Sequence, residues 1–113
     1  MPLWGSGEKI KNKYPASIRD LESKLGGPLV DFVDNTVAST AVGLIINFLP
    51  KSGILGVTYG ALVLSVKAGQ SELLAKCKKL KSGKYRGVRY VQEFDEGPIY
   101  GSYEQGSHYY ELY

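Results

Sequence analysis

Four side chains stand out as candidates for chemistry: Asp31 and Asp34, three residues apart, the single cysteine Cys77, and the single histidine His108. Carboxylates buried inside a membrane helix relay protons or ions. The same acids in the first turns of a helix stabilise the positive end of its dipole, and the sequence favours that plainer role. His108 has no second His or Cys at ligand spacing, so no metal centre is expected. Cys77 lies between Lys76 and Lys78, which would lower its pKa and make it reactive or a site of acylation, yet a lone thiol on an apolar helix face is more often packed. The Gly-x-Ser-x-Gly and P-loop patterns are absent, and "GSGEK" near the N-terminus is neither. No catalytic residue, cofactor or metal is therefore expected, and the chain reads as a non-enzyme.

Charge placement says more than net charge. The chain carries +3 overall, but residues 76–89, "KCKKLKSGKYRGVR", hold seven basic groups and no acid, while the 24 residues after Arg89 hold five acids and no Lys or Arg. The basic set is Lys76, Lys78, Lys79, Lys81, Lys84, Arg86 and Arg89. With Tyr85 and Tyr90 in or beside the run, these groups suit phosphates with aromatic stacking. A cluster next to a membrane segment contacts anionic lipid headgroups equally well. No nucleic-acid-binding motif accompanies the run, so lipid is the expected partner and nucleic acid is not.

The elements that would position these groups follow from periodicity and punctuation. Ser17, with Asp20 three residues on and apolar Ile18, Leu21 and Leu25, predicts a short amphipathic helix over 17–25 ended by Gly26 and Gly27. It needs a surface, and lipid headgroups or protein would serve. Pro28 opens a second helix, uncharged from Asn35 onward and stopped by Pro50. Ser52 can cap a third, "SGILGVTYGALVLSVK", with a break at Gly69. Then "SELLAKCKKLK" places Leu73, Leu74, Cys77 and Leu80 on one face with lysines opposite. After Gly83 the chain holds seven of its nine tyrosines, with turn signals at Gly97-Pro98 and Gln105-Gly106 and a two-residue alternation through Val88, Tyr90 and Phe94. This stretch has too few aliphatic residues to fold alone.

The predicted fold is mainly α, a transmembrane-like helical hairpin flanked by amphipathic helices and followed by an extended or short-stranded Tyr-rich tail. Its parts are an N-terminal arm with an interfacial helix (1–27), the hairpin (28–68), a basic amphipathic helix (69–83) and the tail (84–113). The fifteen uncharged residues from Ser52 fall short of the ~20 that cross a bilayer, but Lys51 and Lys67 can snorkel. Bases lie on both sides of the hairpin and only Lys51 in its turn, as the positive-inside rule asks. Thr36, Thr40, Gly43 and Asn47 form a small-residue stripe that would pack against Gly53, Gly56 and Gly60, a GxxxG-bearing stripe on the next helix. In the tail, Tyr90, Phe94, Tyr100, Tyr103, Tyr109, Tyr110 and Tyr113 offer large contact area with a polar handle, as a docking surface for a partner would.

The segment Asn47–Lys67, "NFLPKSGILGVTYGALVLSVK", resembles the single membrane helix of the small subunit k (DAPIT-like) family of mitochondrial ATP synthase. The likeness lies in a glycine-bearing polar lead, an apolar run with the pair Tyr59-Gly60, and the basic exit Lys67. The resemblance implies a non-catalytic accessory subunit linking larger subunits in an energy-transducing inner membrane, here the mitochondrial one. Two rivals stand beside it: a bacteriocin-like toxin that hides its hairpin until it meets a bilayer, and a soluble homodimeric module whose hairpins pair into a four-helix bundle.

Overall fold

The computed structural model describes residues 9–96 and 103–113. A three-stranded antiparallel sheet, ordered β1 (Lys9–Ser17), β2 (Gly87–Glu96), β3 (Tyr103–Leu112), packs one face on four helices inserted between β1 and β2. In β1, Lys11 and Lys13 alternate with Ile10, Asn12, Tyr14 and Ala16. That period of two puts the lysines on the outer face and the others toward the helices. Pro15 is tolerated because β1 is an edge strand. The inward rows are Ile10, Phe94, Gln105; Asn12, Gln92, His108; Tyr14, Tyr90, Tyr110; and Ala16, Val88, Leu112.

Local chemistry explains the helices. For α1 (Ile18–Leu25), the Asp20 amide donates to Ser17 Oγ at 3.1 Å and the Ser17 amide donates to Asp20 Oδ2 at 3.3 Å, a reciprocal capping box. Gly26, at φ +81°, ends it in the left-handed region. A single 3-10 turn, Leu29–Phe32, leads to α2 (Asn35–Phe48), which stops before Pro50. Val37, Ala41 and Ile45, four residues apart, bury one of its faces. Thr58 caps α3 (Tyr59–Ala68) by accepting from the Ala61 amide, and Gly69 separates α3 from α4 (Gln70–Leu80). Leu73, Cys77 and Leu80 of α4 meet Leu62, Val66, Phe94, Tyr90 and Tyr110 in a single core.

These elements correct the sequence expectation in three respects. The fold is an α/β layer and not a mainly α hairpin with a tail: the tail supplies β2 and β3, and β1 comes from the lysine-rich arm. The long third helix does not exist as one piece, because residues 49–58 turn. Ile54 and Val57 exchange backbone hydrogen bonds around Leu55 and Gly56, both at positive φ (51° and 83°), a hairpin-type turn with no helical continuation. What remains is 14 residues in α2 and 10 in α3, roughly 21 and 15 Å of helix against the ~30 Å of a hydrocarbon core. No helix among the described residues is long and apolar enough to cross a membrane. The transmembrane helical hairpin and the membrane placement, mitochondrial inner membrane included, are thereby withdrawn.

Candidate functional site

The basic run is built on the C-terminal half of α4 and the loop to β2. Because Leu73, Cys77 and Leu80 turn inward, Lys78, Lys79 and Lys81 are exposed and Lys76 is half-buried. The loop is held at both ends. Ser82 Oγ donates to the Lys79 carbonyl at 2.9 Å and accepts from the Lys84 amide at 3.3 Å, and Gly83 takes φ +77°. Beyond it the Arg86 amide donates to the Tyr113 carbonyl, and the Arg86 carbonyl accepts from the Ile18 amide at 2.7 Å. Lys84, Tyr85 and Arg86 therefore project from an anchored turn, all three exposed.

No acid among the described residues pairs with Lys76, Lys78, Lys79, Lys81, Lys84 or Arg86, whereas the bases of the outer sheet face are matched. Lys11 faces Glu93 at 3.7 Å, and Lys13 and Arg89 share Glu111 at 3.5 and 2.7 Å. The Arg89 contact is short but lies off the line of a hydrogen bond, so it is an ion pair in which Arg89 also stands 4.8 Å over the Tyr113 ring. Arg89, seventh of the basic set, thus belongs to the sheet and not to the exposed edge.

The tail aromatics divide by burial. Tyr90, Phe94 and Tyr110 are buried against the chain's own helices, Tyr103, Tyr109 and Tyr113 are half-buried, and Tyr100 lies outside the described residues. Tyr110 Oη donates to the Val66 carbonyl at 2.7 Å, and its amide donates to Glu72 Oε2 at 3.1 Å, so α3 and α4 clasp the β3 edge. Gly69 makes room for the Tyr110 ring, which a Cβ there would meet at 2.6 Å. Burial raises the Tyr90 and Tyr110 phenols well above their ordinary range, with the neighbouring Tyr14 and Tyr90 charges adding respectively.

A buried amide hub, unsuspected from sequence, joins these parts. Between Gln92 and Phe94 the register slips by one, so Gly106 and Ser107 of β3 both oppose Glu93, a β-bulge. Gln92 Nε2 donates to the carbonyls of Glu93, Gly106 and Ser107, and Gln92 Oε1 accepts from Tyr90 Oη at 2.8 Å and Gln105 Nε2 at 2.9 Å. Gln105 Nε2 also donates to Ser65 Oγ, which donates to the Ala61 carbonyl on α3. The available signal was a glutamine among inward-facing aromatics, at the same parity as Tyr90 and Phe94.

The other singled-out residues are dispersed. Asp31 and Asp34 are exposed, the latter at the N-cap position of α2 without a side-chain cap bond. Cys77 is fully buried and its thiol is pushed up to about 11 by burial. His108 lies half-buried with its ring 6.1 Å from that of Tyr90. Thr36 and Asn47 are exposed and Thr40 half-buried along α2, and a Cβ at Gly43 or Gly60 would meet nothing within 4 Å. Gly53 and Gly56 sit in the 49–58 loop at positive φ. The structure therefore does not bring these seven together as facing stripes. An open cleft of about 650 Å³ is lined by Ile18, Arg19, Glu22, Ser23, Gly27 and Pro28, but its acid is already engaged, accepting from the Leu29 amide at 2.7 Å.

No protein-family model, no curated protein and no solved structure matches this chain.

Proposed function

We propose that the protein is a non-catalytic binding module that docks on an anionic partner, within a larger assembly, through the basic edge Lys76–Arg86. The observation that supports this reading is the contrast in charge pairing: bases on the sheet are matched with carboxylates, while six bases in eleven residues are left without one among the described residues. Like charges at this density repel, and an anionic surface relieves the repulsion while gaining long-range steering. The non-catalytic part of the reading is supported by the groups with perturbed acidity. Tyr90, Tyr110 and Cys77 are buried and displaced away from neutral pH, the opposite of the tuning that acid–base or nucleophilic catalysis requires.

The test compares two variants of equal net charge. One carries Lys78→Gln, Lys81→Gln, Lys84→Gln and Arg86→Gln; the other carries Arg19→Gln, Lys24→Gln, Lys51→Gln and Lys67→Gln, bases that are exposed but scattered. On immobilised heparin the scattered variant should elute near the wild type and the edge variant at much lower salt. Equal elution of the two variants would show that only net charge matters and would sink the proposal.

A further inference from the structure

Resting on that reading, we infer that the partner of the basic edge is single-stranded nucleic acid, with Tyr85 as the base-stacking residue. Tyr85 is 37% exposed, the aromatic residue of the 76–86 segment, and stands in sequence between the exposed Lys84 and Arg86. Tyr14, Tyr90, Tyr110 and Tyr113 have ring or cation partners, whereas Tyr85 has neither a ring partner nor a hydroxyl partner among the described residues. An aromatic face presented between two cations is the unit with which proteins hold unpaired bases: phosphates are drawn to the cations and a base covers the ring, whatever its identity. The turn that carries it is fixed before binding by Ser82, Gly83 and the Arg86–Tyr113 backbone bond, so little ordering entropy is lost on association.

Anionic lipid fits the same charges less well. An interfacial contact of that kind brings apolar side chains to the surface with its bases. Here Cys77 and Leu80 are buried, and the strongly exposed apolar residues among those described, Val30, Phe48 and Leu64, lie on the 3-10 turn, α2 and α3, outside the basic segment. No helix among the described residues is long and apolar enough to cross a membrane.

The experiment is fluorescence anisotropy of a labelled oligothymidylate titrated with the full chain, with heparin and phosphatidylglycerol vesicles as the comparison anions. If about four phosphates are neutralised, the logarithm of affinity should fall with the logarithm of salt at a slope near −3, or about fiftyfold between 50 and 200 mM. Tyr85→Ala should weaken oligonucleotide binding roughly five- to 150-fold, Tyr85→Phe should leave it near wild type, and neither should alter heparin affinity. Tyr85 is a surface residue, and a circular dichroism spectrum checks that each variant is folded. Lysine-dependent binding to oligonucleotide and heparin with no effect of Tyr85→Ala would overturn the nucleic-acid assignment and leave the anionic-partner reading standing. Binding to vesicles but not to oligonucleotide would replace it with a lipid partner. No binding to any of the three would remove both.

Discussion

Replacing Gln92 by leucine tests whether the amide hub holds the sheet on the helices. Gln92 is fully buried, and its side chain accepts from Tyr90 Oη and Gln105 Nε2 while donating to three carbonyls, two of them at the bulge. Leucine has similar volume and gains about 1 kcal/mol or more from burial. Against that, the Tyr90 hydroxyl loses its Gln92 acceptor in the core and keeps the Ser65 hydroxyl beside it, at a cost of about 1–3 kcal/mol, and the carbonyls of Gly106 and Ser107 lose the Gln92 donor at a similar combined cost. Gln105 keeps its bond to Ser65 and adds less. The net loss should be about 3 kcal/mol, a shift of about 12 °C in Tm for a chain of this length. Thermal and urea denaturation of Gln92→Leu, Tyr90→Phe and the double variant complete the cycle. Because Tyr90→Phe removes the hydroxyl whose acceptor is lost, the double variant should lose about 1–2 kcal/mol less than the sum of the single losses. Strict additivity, or a Gln92→Leu loss under about 0.5 kcal/mol, would refute the hub as an energetic unit.

Alkaline pH should destabilise the fold through three buried groups. Cys77 rises from 9.0 to about 11, and Tyr90 and Tyr110 rise above 10.0, so the unfolded chain releases these protons first. Their contribution is complete below the unfolded values and is lost as pH climbs from about 9 upward, at up to about 1.4 kcal/mol per pH unit for each group. Urea midpoints unchanged from pH 7 to 11 would contradict this, as would rapid reaction of the native thiol with a disulfide reagent at pH 8. The glycines give a separate test. Gly43→Ala should raise stability by about 0.5–1 kcal/mol, since it sits inside α2 with open space for a methyl. Gly53→Ala should lower it by at least about 2 kcal/mol, because φ is +79° and the new Cβ would press on the Val57 carbonyl oxygen. Destabilisation by Gly43→Ala would instead support a tight helix contact at that stripe.

Signals confined to neighbouring residues were legible in the sequence. Ser17 with Asp20, Pro50, Gly69, and the spacing of Leu73, Cys77 and Leu80 each act within one helical turn, and each marks a feature that the structure contains. The parity of Val88, Tyr90 and Phe94 likewise marks the inward face of β2. Pairing across the chain was not legible. The strand partner of Tyr90 on one side is Tyr14, 76 residues away, and the alternating lysines of β1 read as a charged arm until β2 lies beside them. The membrane reading failed at the 49–58 loop. The spacing of Gly53 and Gly56 fits a small helix face, whereas their positive φ makes them turn residues, and Gly60 alone of that stripe is helical. The basic edge was visible as composition, but its pairing state and the exposure of Tyr85 depend on which way α4 faces, which only the packed core decides.

The lysines of α4 have a second explanation that must be separated from binding. Lys78 and Lys79 lie in the last turn, where cations stabilise the negative end of the helix dipole by about 0.3–1 kcal/mol each. That effect fades beyond the terminal turn, so it cannot account for Lys84 and Arg86, which follow Gly83 on the far side of the cap. Two double variants divide the roles. Lys78→Gln with Lys79→Gln should lower stability by up to about 1–2 kcal/mol, while Lys84→Gln with Arg86→Gln should stay within about 0.5 kcal/mol of wild type. On immobilised heparin both pairs should elute at reduced salt, because an anionic surface senses all four cations. If the Lys84 and Arg86 pair leaves elution unchanged, the exposed bases serve the helix and not a partner. If it weakens retention with stability intact, those two side chains are held out from an anchored turn for a purpose that folding does not supply.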